Sequence, residues 1–161
     1  MADSAGGGFA ASLEIPGPVL AILVGGVVVG VLDLIYAILV YSPRNPILIP
    51  QTIASGVLGL KSYSGGVQTA ALGVVLHFVI ALGAATVYYL ASRKLAFLVD
   101  RAVLFGLIYG GLVYLCMHLM VMPLSAVSPR QMPLIYKVCE FVWHWFGVGL
   151  PIALSVRHYS R

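Results

Sequence analysis

Four long runs of apolar residues dominate the chain, at about 18–41, 67–90, 102–123 and 134–156. Each run reaches or exceeds the roughly 20 residues that a helix needs to cross the hydrocarbon core of a bilayer. A shorter apolar run, 47–60, lies in the loop after the first of them and is too short to cross. The pattern predicts an all-α polytopic membrane protein: four transmembrane helices, with a short interfacial or re-entrant helix in the first loop. An ordinary capping loop is the alternative for 47–60.

The composition supports the same class. Hydrophobic residues make up 61% of the chain and charged residues 9%, against about 45–50% and about 25% in soluble proteins. Four crossings with short connections use nearly all of the 161 residues, so the sequence predicts a single transmembrane domain over 18–161. Residues 1–17 are rich in Ala, Gly and Ser and carry no positive charge, which predicts a flexible tail and not a signal peptide.

Charge and cysteine usage exclude several classes of function. The net charge of +4 comes from nine scattered Lys and Arg residues, with no basic stripe of the kind that binds nucleic acid. Cys116 and Cys139 lie in apolar runs without Cys-x-x-Cys spacing, so we expect small packing residues and no redox motif. Nucleophile elbows, P-loops and dinucleotide fingerprints do not occur in the sequence, and nothing in it identifies an enzyme.

Two pairs of glycines have the spacing of close helix packing. Gly26 and Gly30 lie in the first run, and Gly106 and Gly110 in the third. Such small-xxx-small faces let helix backbones approach closely in a membrane. They predict either packing within the chain or association into a homo-oligomer, in addition to contact with the lipid bilayer.

Each apolar run also carries at least one ionisable residue well inside it. Asp33 lies in the first run, His77 in the second, His118 in the third, and Glu140 and His144 in the fourth. A charged side chain at the centre of a bilayer costs roughly 2.5–3.5 kcal/mol on insertion scales, so these groups call for polar partners, water or protons. Glu140 and His144 are four residues apart and therefore share one helix face.

The depths of these five residues agree. Counted from the outer end of each predicted span at about 1.5 Å per residue, they lie roughly 8 to 15 Å deep, although alternate spans run in opposite directions. The inner halves of the spans hold no comparable group. We therefore predict a polar cluster of Asp33, His77, His118, Glu140 and His144 that opens toward the non-cytoplasmic side.

Orientation follows from the positive residues of the loops. Five Lys or Arg residues lie on the side of the termini and four on the other side. The short turn from Arg93 to Arg101 is the compact basic loop that the positive-inside rule weights most. This distribution predicts both termini in the cytoplasm.

The last third of the chain resembles a known family. His118-x4-Pro123-Leu124-x4-Pro129, followed by Glu140-x3-His144-Trp145, resembles the corresponding run of the YagU-like family of bacterial inner-membrane proteins, as do the glycines before it. The resemblance implies a small polytopic protein of the bacterial cytoplasmic membrane and gives no role to these positions. The resemblance does not extend to the first span or the first loop, so Asp33 and His77 rest on the residue pattern alone.

Three interpretations of the cluster stay open on the sequence alone. The groups can fix helix packing without any further role. They can exchange protons or bind a small solute from the outer aqueous phase, as a sensor or half-access site. They can hold a transition metal or a haem, with His77, His118, Glu140 and His144 as the candidate ligands, although Glu140-x3-His144 alone is a weak motif.

Overall fold

The computed structural model describes residues 15–127 and 132–160, and every regular element within these ranges is helical. The elements are α1 (Gly17–Tyr41), α2 (Leu48–Leu58), α3 (Gly66–Ser92), the short α4 (Phe97–Asp100), α5 (Ala102–Leu124) and α6 (Leu134–Tyr159). A 3₁₀ turn, Gly59–Ser64, follows α2. The first fourteen residues of the predicted tail, together with Pro129, lie outside the described residues.

The four long helices are apolar enough to cross a membrane, with mean hydropathies of 2.5, 2.2, 1.9 and 1.3 along the chain. The predicted all-α class with four spans and a short helix in the first loop is thus confirmed. Each helix includes its predicted span, and α6 continues to Tyr159. Arg157 and His158 lie in its last turn, where positive charge is favourable because of the helix dipole.

Prolines set where the first and last long helices begin. Pro16 precedes α1 in an extended conformation and Pro18 occupies its first turn, where a missing N–H costs nothing. Pro133 precedes α6 in the same way. At the other end of α1, the hydroxyl of Ser42 donates to the carbonyl of Asn45 and turns the chain toward α2.

The spans pack in the order α3, α1, α6, α5. Helix α1 contacts α3 on one side and α6 on the other, and α5 contacts α6. A Cβ at Gly26 would lie 2.9 Å from the Cα of Leu82 on α3, and one at Gly110 would overlap the carbonyl of His144 on α6. Both glycine faces are therefore occupied inside the chain, as close backbone packing requires.

The surface and the interior have the distribution of a membrane protein. Aliphatic side chains point outward, with Val67 74% and Leu119 71% exposed, whereas the buried positions are mostly Gly, Ala, Ser and a few larger residues. In lipid, apolar exposure carries no penalty, and small interior residues allow the helices to approach. The described part of the chain thus presents an apolar outer face suited to lipid contact.

The two ends of the bundle differ in packing. At the end that carries the termini and α4, which we call the terminal end, Ala85, Tyr88, Ile152 and Val156 form a tightly buried core. The hydroxyl of Tyr109 on α5 donates to the carbonyl of Ala84 on α3 at 2.7 Å and joins these two helices. At the opposite end, which we call the α2 end, the helices separate around a cavity.

Candidate functional site

The cavity at the α2 end has a volume of about 730 Å³ and receives side chains from α1, α2, α3, α5 and α6. Its wall is mostly aliphatic, and Leu48, Ile49, Thr52 and Ile53 of α2 form the part farthest from the termini. All five residues of the predicted polar cluster line it: Asp33, His77, His118, Glu140 and His144. Cavities of about 300–1,000 Å³ are the usual size of small-molecule sites.

Helices α5 and α6 each carry two interacting residues four positions apart, Tyr114 and His118 on α5 and Glu140 and His144 on α6. On α5 the ring of Tyr114 stacks on His118 at a centroid distance of 4.0 Å, and the same ring contacts His144 on α6 at 5.3 Å. The carboxylate of Glu140 lies 3.8 Å from Nε2 of His118. Each pair therefore contacts the histidine of the other helix: Glu140 of α6 faces His118 of α5, and Tyr114 of α5 faces His144 of α6.

Asp33 is held by a different partner. The indole N–H of Trp143 donates to its Oδ1 at 2.9 Å, and the Trp143 ring stacks on Tyr36 with centroids 4.3 Å apart and planes within 5° of parallel. The contact joins α1 to α6 next to the Glu140 pair. Because the indole N–H is an uncharged donor, this bond positions the Asp33 side chain without supplying a positive charge beside it.

His77 contacts α1 and not the carboxylates. Its Nε2 lies 3.0 Å from the carbonyl oxygen of Gly30, which the absence of a side chain on that glycine leaves accessible. Phe78, the next residue, fills the remaining space above Gly30. Because a carbonyl oxygen only accepts hydrogen bonds, Nε2 carries the proton and Nδ1 keeps a lone pair when the ring is neutral.

The other two histidines use their ring nitrogens in the same way. Nδ1 of His118 donates to the carbonyl of Tyr114 at 3.1 Å, and Nδ1 of His144 donates to the carbonyl of Glu140 at 2.8 Å. In the neutral rings, the Nε2 atom of each therefore carries a lone pair and no proton. All three imidazoles of the cluster can take up a proton without giving up the bond that orients them.

Both of these histidines lie where an α-helix widens into a π-helical turn, at Met117–Val121 in α5 and His144–Gly149 in α6. In each case the imidazole donates a hydrogen bond to the carbonyl four residues earlier. It therefore competes with the backbone N–H that would bond to the same carbonyl in a regular α-helix. Single π turns within α-helices are frequently found at functional sites. The turn in α6 also interrupts the regular α-helical spacing directly after Glu140 and His144.

The cluster does not have the geometry of a site for a bare metal ion. In the part of the chain that the structure describes, no three His, Cys, Asp or Glu side chains are grouped closely enough to hold one ion. His118 and Glu140 form a pair, while His77 bonds to α1. The predicted candidate ligands therefore do not fit a bare metal site in this arrangement.

Several aromatic residues of the site were not predicted as members of it. Tyr41 lines the cavity, and its hydroxyl is buried without a hydrogen-bond partner among the described residues. Trp143 donates a hydrogen bond to Asp33, and Tyr36 stacks on the ring of Trp143. Their spacing was a usable signal, because Tyr36 lies three residues after Asp33 and Trp143 lies three after Glu140, each on a shared helix face.

Two further positions of the family resemblance, Pro123 and Trp145, each directly follow a residue that lines the cavity. Pro123 lies in the last turn of α5. The indole of Trp145 packs against Gly111 of α5 and the ring of Phe141. Comparison of the chain with protein-family models, with curated proteins and with solved structures gave no match. The resemblance of its last third to the YagU-like family stays a prediction.

Proposed function

We propose that this multi-pass membrane protein binds a small solute and protons in the cavity at the α2 end, and that this end faces the outside of the bacterial cytoplasmic membrane. Both termini are then cytoplasmic, as the basic turn from Arg93 to Arg101 favours. The resemblance of residues 118–145 to the YagU-like family supports the bacterial membrane. We assign no catalytic role to any residue, because no nucleophile with an adjacent base occurs in the described cavity wall.

One observation carries this proposal. Five ionisable side chains from four separate helices line a single cavity of about 730 Å³, and its histidines keep a free ring nitrogen. Helix packing alone needs paired polar groups and no cavity. Polar groups that converge on a mostly apolar cavity are the usual arrangement of a small-molecule site.

The terminal end supports a half-access site over a pathway across the membrane. The terminal halves of the spans, 17–28, 82–92, 102–112 and 148–156, contain no Asp, Glu, His, Lys or Arg. Tyr109 and Ala84 are hydrogen-bonded between the cavity and this end. A proton relay requires a chain of such groups, so we propose sensing or binding and not pumping.

The test uses Trp143 as a reporter. The chain has two tryptophans, so Trp145→Phe leaves Trp143, whose indole N–H bonds to Asp33. Protonation of Asp33 or of its neighbours changes the charge next to this indole. We expect a sigmoidal change in emission between about pH 5 and pH 8, the range in which an imidazole ordinarily changes its charge.

The variants Asp33→Asn and Glu140→Gln, each in the Trp145→Phe background, are expected to reduce this change. Asp100→Asn is the matched control, because Asp100 lies in α4, exposed and away from the cavity. Emission that does not respond to pH, or a response that both cavity variants retain in full, would contradict a proton-linked cavity. In that case a cluster that only fixes helix packing is the better interpretation.

The metal and haem alternatives are separated by a second measurement. Elemental analysis of detergent-purified protein for iron, zinc and copper is compared with Glu140→Gln and His144→Ala, and an absorption spectrum distinguishes haem from a bare ion. Near-stoichiometric metal that is lost in both variants would replace our proposal with a cofactor site. We expect substoichiometric metal in every sample, because among the described residues no three candidate ligands lie close enough together to bind one metal ion.

A further inference from the structure

The cavity has an unbalanced set of fixed charges. Two carboxyl side chains, Asp33 and Glu140, line the cavity. Among residues 15–127 and 132–160, no Lys or Arg side chain lines it. Neutral histidines supply no positive charge. A carboxylate in low-polarity surroundings requires a proton or a positive partner, because an isolated buried charge is very costly. The protein itself provides only protons for this purpose, through the carboxyls and the imidazoles.

The rest of the wall suits an apolar ligand with a positive centre. Aliphatic side chains from all five helices surround the carboxylates, and the rings of Tyr41, Tyr63 and Tyr136 also line the cavity. Aromatic rings attract cations through their electron-rich faces. The buried Tyr41 hydroxyl lacks a hydrogen-bond partner among the described residues. An anionic ligand does not suit the cavity, because it would face two carboxyl groups with no Lys or Arg among the described residues to balance its charge.

We propose that the solute is a hydrophobic organic cation, a quaternary or protonated amine or a similar onium ion with apolar arms, which takes its place between Asp33 and Glu140. This inference rests on the proposed function and names the ligand class of the same site. Bound protons keep the empty site neutral, and the entering cation replaces them. Each positive charge that enters releases one proton to the outer aqueous phase.

This exchange makes binding depend on pH. At low pH the protonated cluster leaves no net negative charge, so the cation gains nothing from the carboxylates. As protons leave, the attraction develops, and the affinity rises by up to about tenfold per pH unit for one proton displaced. The titratable groups that face the two carboxylates across the cavity are Tyr41, Tyr63, His77, His118, Tyr136 and His144.

The experiment compares two probes of the same shape and opposite charge, tetraphenylphosphonium and tetraphenylborate. Quenching of Trp143 emission is titrated in the full-length Trp145→Phe protein in detergent, at about pH 5.5 and about pH 8. We expect saturable quenching by tetraphenylphosphonium, at least about tenfold tighter at the higher pH. Tetraphenylborate is expected to show only the linear quenching of partition into the micelle.

Charge-neutral variants locate the cation. Asp33→Asn and Glu140→Gln should each weaken tetraphenylphosphonium at about pH 8 by about tenfold or more, and Asp100→Asn should leave it unchanged. Glu140→Asp keeps the charge and is expected to retain most of the affinity. Size-exclusion profiles show whether each variant is folded. If one of the two neutral variants is misfolded, the other one is used for the test.

Each remaining outcome is decisive. Saturable cation binding that both neutral variants retain, or that does not tighten with pH, overturns the inference. Saturable, variant-sensitive binding of tetraphenylborate also overturns it, while the proposed solute cavity stands. If neither probe saturates while Trp143 still responds to pH, the ligand class is wrong and the proton-linked cavity stands. Without any pH response, the proposed function fails as well.

Discussion

The indole N–H of Trp143 donates to the carboxylate of Asp33 at 2.9 Å, which links α6 to α1 at the edge of the cavity. The two residues are 110 positions apart in the chain. The same indole ring stacks on Tyr36. One side chain thus positions the acidic group of α1 and brings a fluorophore to the site.

The Asp33–Trp143 bond is expected to contribute to stability in a measurable way. Hydrogen bonds to charged groups contribute about 1.5–3 kcal/mol in soluble proteins, but interhelical bonds in membranes average about 0.6 kcal/mol. A double-mutant cycle of Asp33→Ala, which removes the acceptor oxygen, and Trp143→Phe should therefore give a coupling free energy of about 1 kcal/mol by thermal unfolding in detergent. Trp145→Phe in place of Trp143→Phe is the control, and equal coupling with both tryptophans would contradict the assignment.

The crossing of α5 and α6 depends on the absence of a side chain at Gly110. A Cβ at this position would overlap the carbonyl of His144, and Gly149 on α6 approaches the backbone of α5 equally closely. Gly110→Ala should lower the free energy of unfolding by about 2 kcal/mol, since the backbones have to separate.

Gly83→Ala is the matched control for this substitution. Gly83 also lies within a span, but a Cβ there would meet nothing within 4 Å. Its unfolding free energy should stay within about 1 kcal/mol of the parent.

Helix α2 is held over the cavity by its contact with α3. A Cβ at Gly73 would overlap the carbonyl of Pro50, and the side-chain amide of Gln51 donates to the carbonyl of Gly66 at 3.1 Å. Gly73→Ala should therefore displace α2 and expose the side of α2 that faces the cavity, on which Thr52 lies.

The displacement is measured by maleimide labelling of Thr52→Cys. Cys116 and Cys139 are exposed and are first replaced by Ser. We expect labelling to be at least about tenfold faster with Gly73→Ala, and unchanged with Gly83→Ala, because an opening step limits the reaction of a covered thiol. Equal rates in the parent and Gly73→Ala would show that α2 does not cover the cavity.

Orientation is tested at two exposed lysines at opposite ends of the bundle. Lys61 lies in the 3₁₀ turn after α2, and Lys94 follows α3 at the terminal end. In intact bacterial cells, a membrane-impermeant maleimide should label Lys61→Cys and should label Lys94→Cys only after the membrane is permeabilised. The reverse pattern would place the cavity on the cytoplasmic side.

The sequence by itself determined the membrane class and the number of spans, but it left a short helix and an ordinary capping loop open for 47–60, and the structure shows the helix. These features depend on local hydrophobicity over about 20 residues, which a bilayer requires of any crossing helix. The depth of Asp33, His77 and His118 within their spans follows from the same local counting, because the rise per residue of a helix is fixed. Their functional role stays a prediction.

Only the tertiary structure decided which atoms meet. The partner of Asp33 is Trp143 and not a histidine, and His77 bonds to the carbonyl of Gly30 and not to a carboxylate. Helical spacing shows which residues share a face but not which face meets which neighbour. The π turns at His118 and His144 rotate those faces further. Pairing between helices depends on rotation and close approach, which the packing of the whole chain sets.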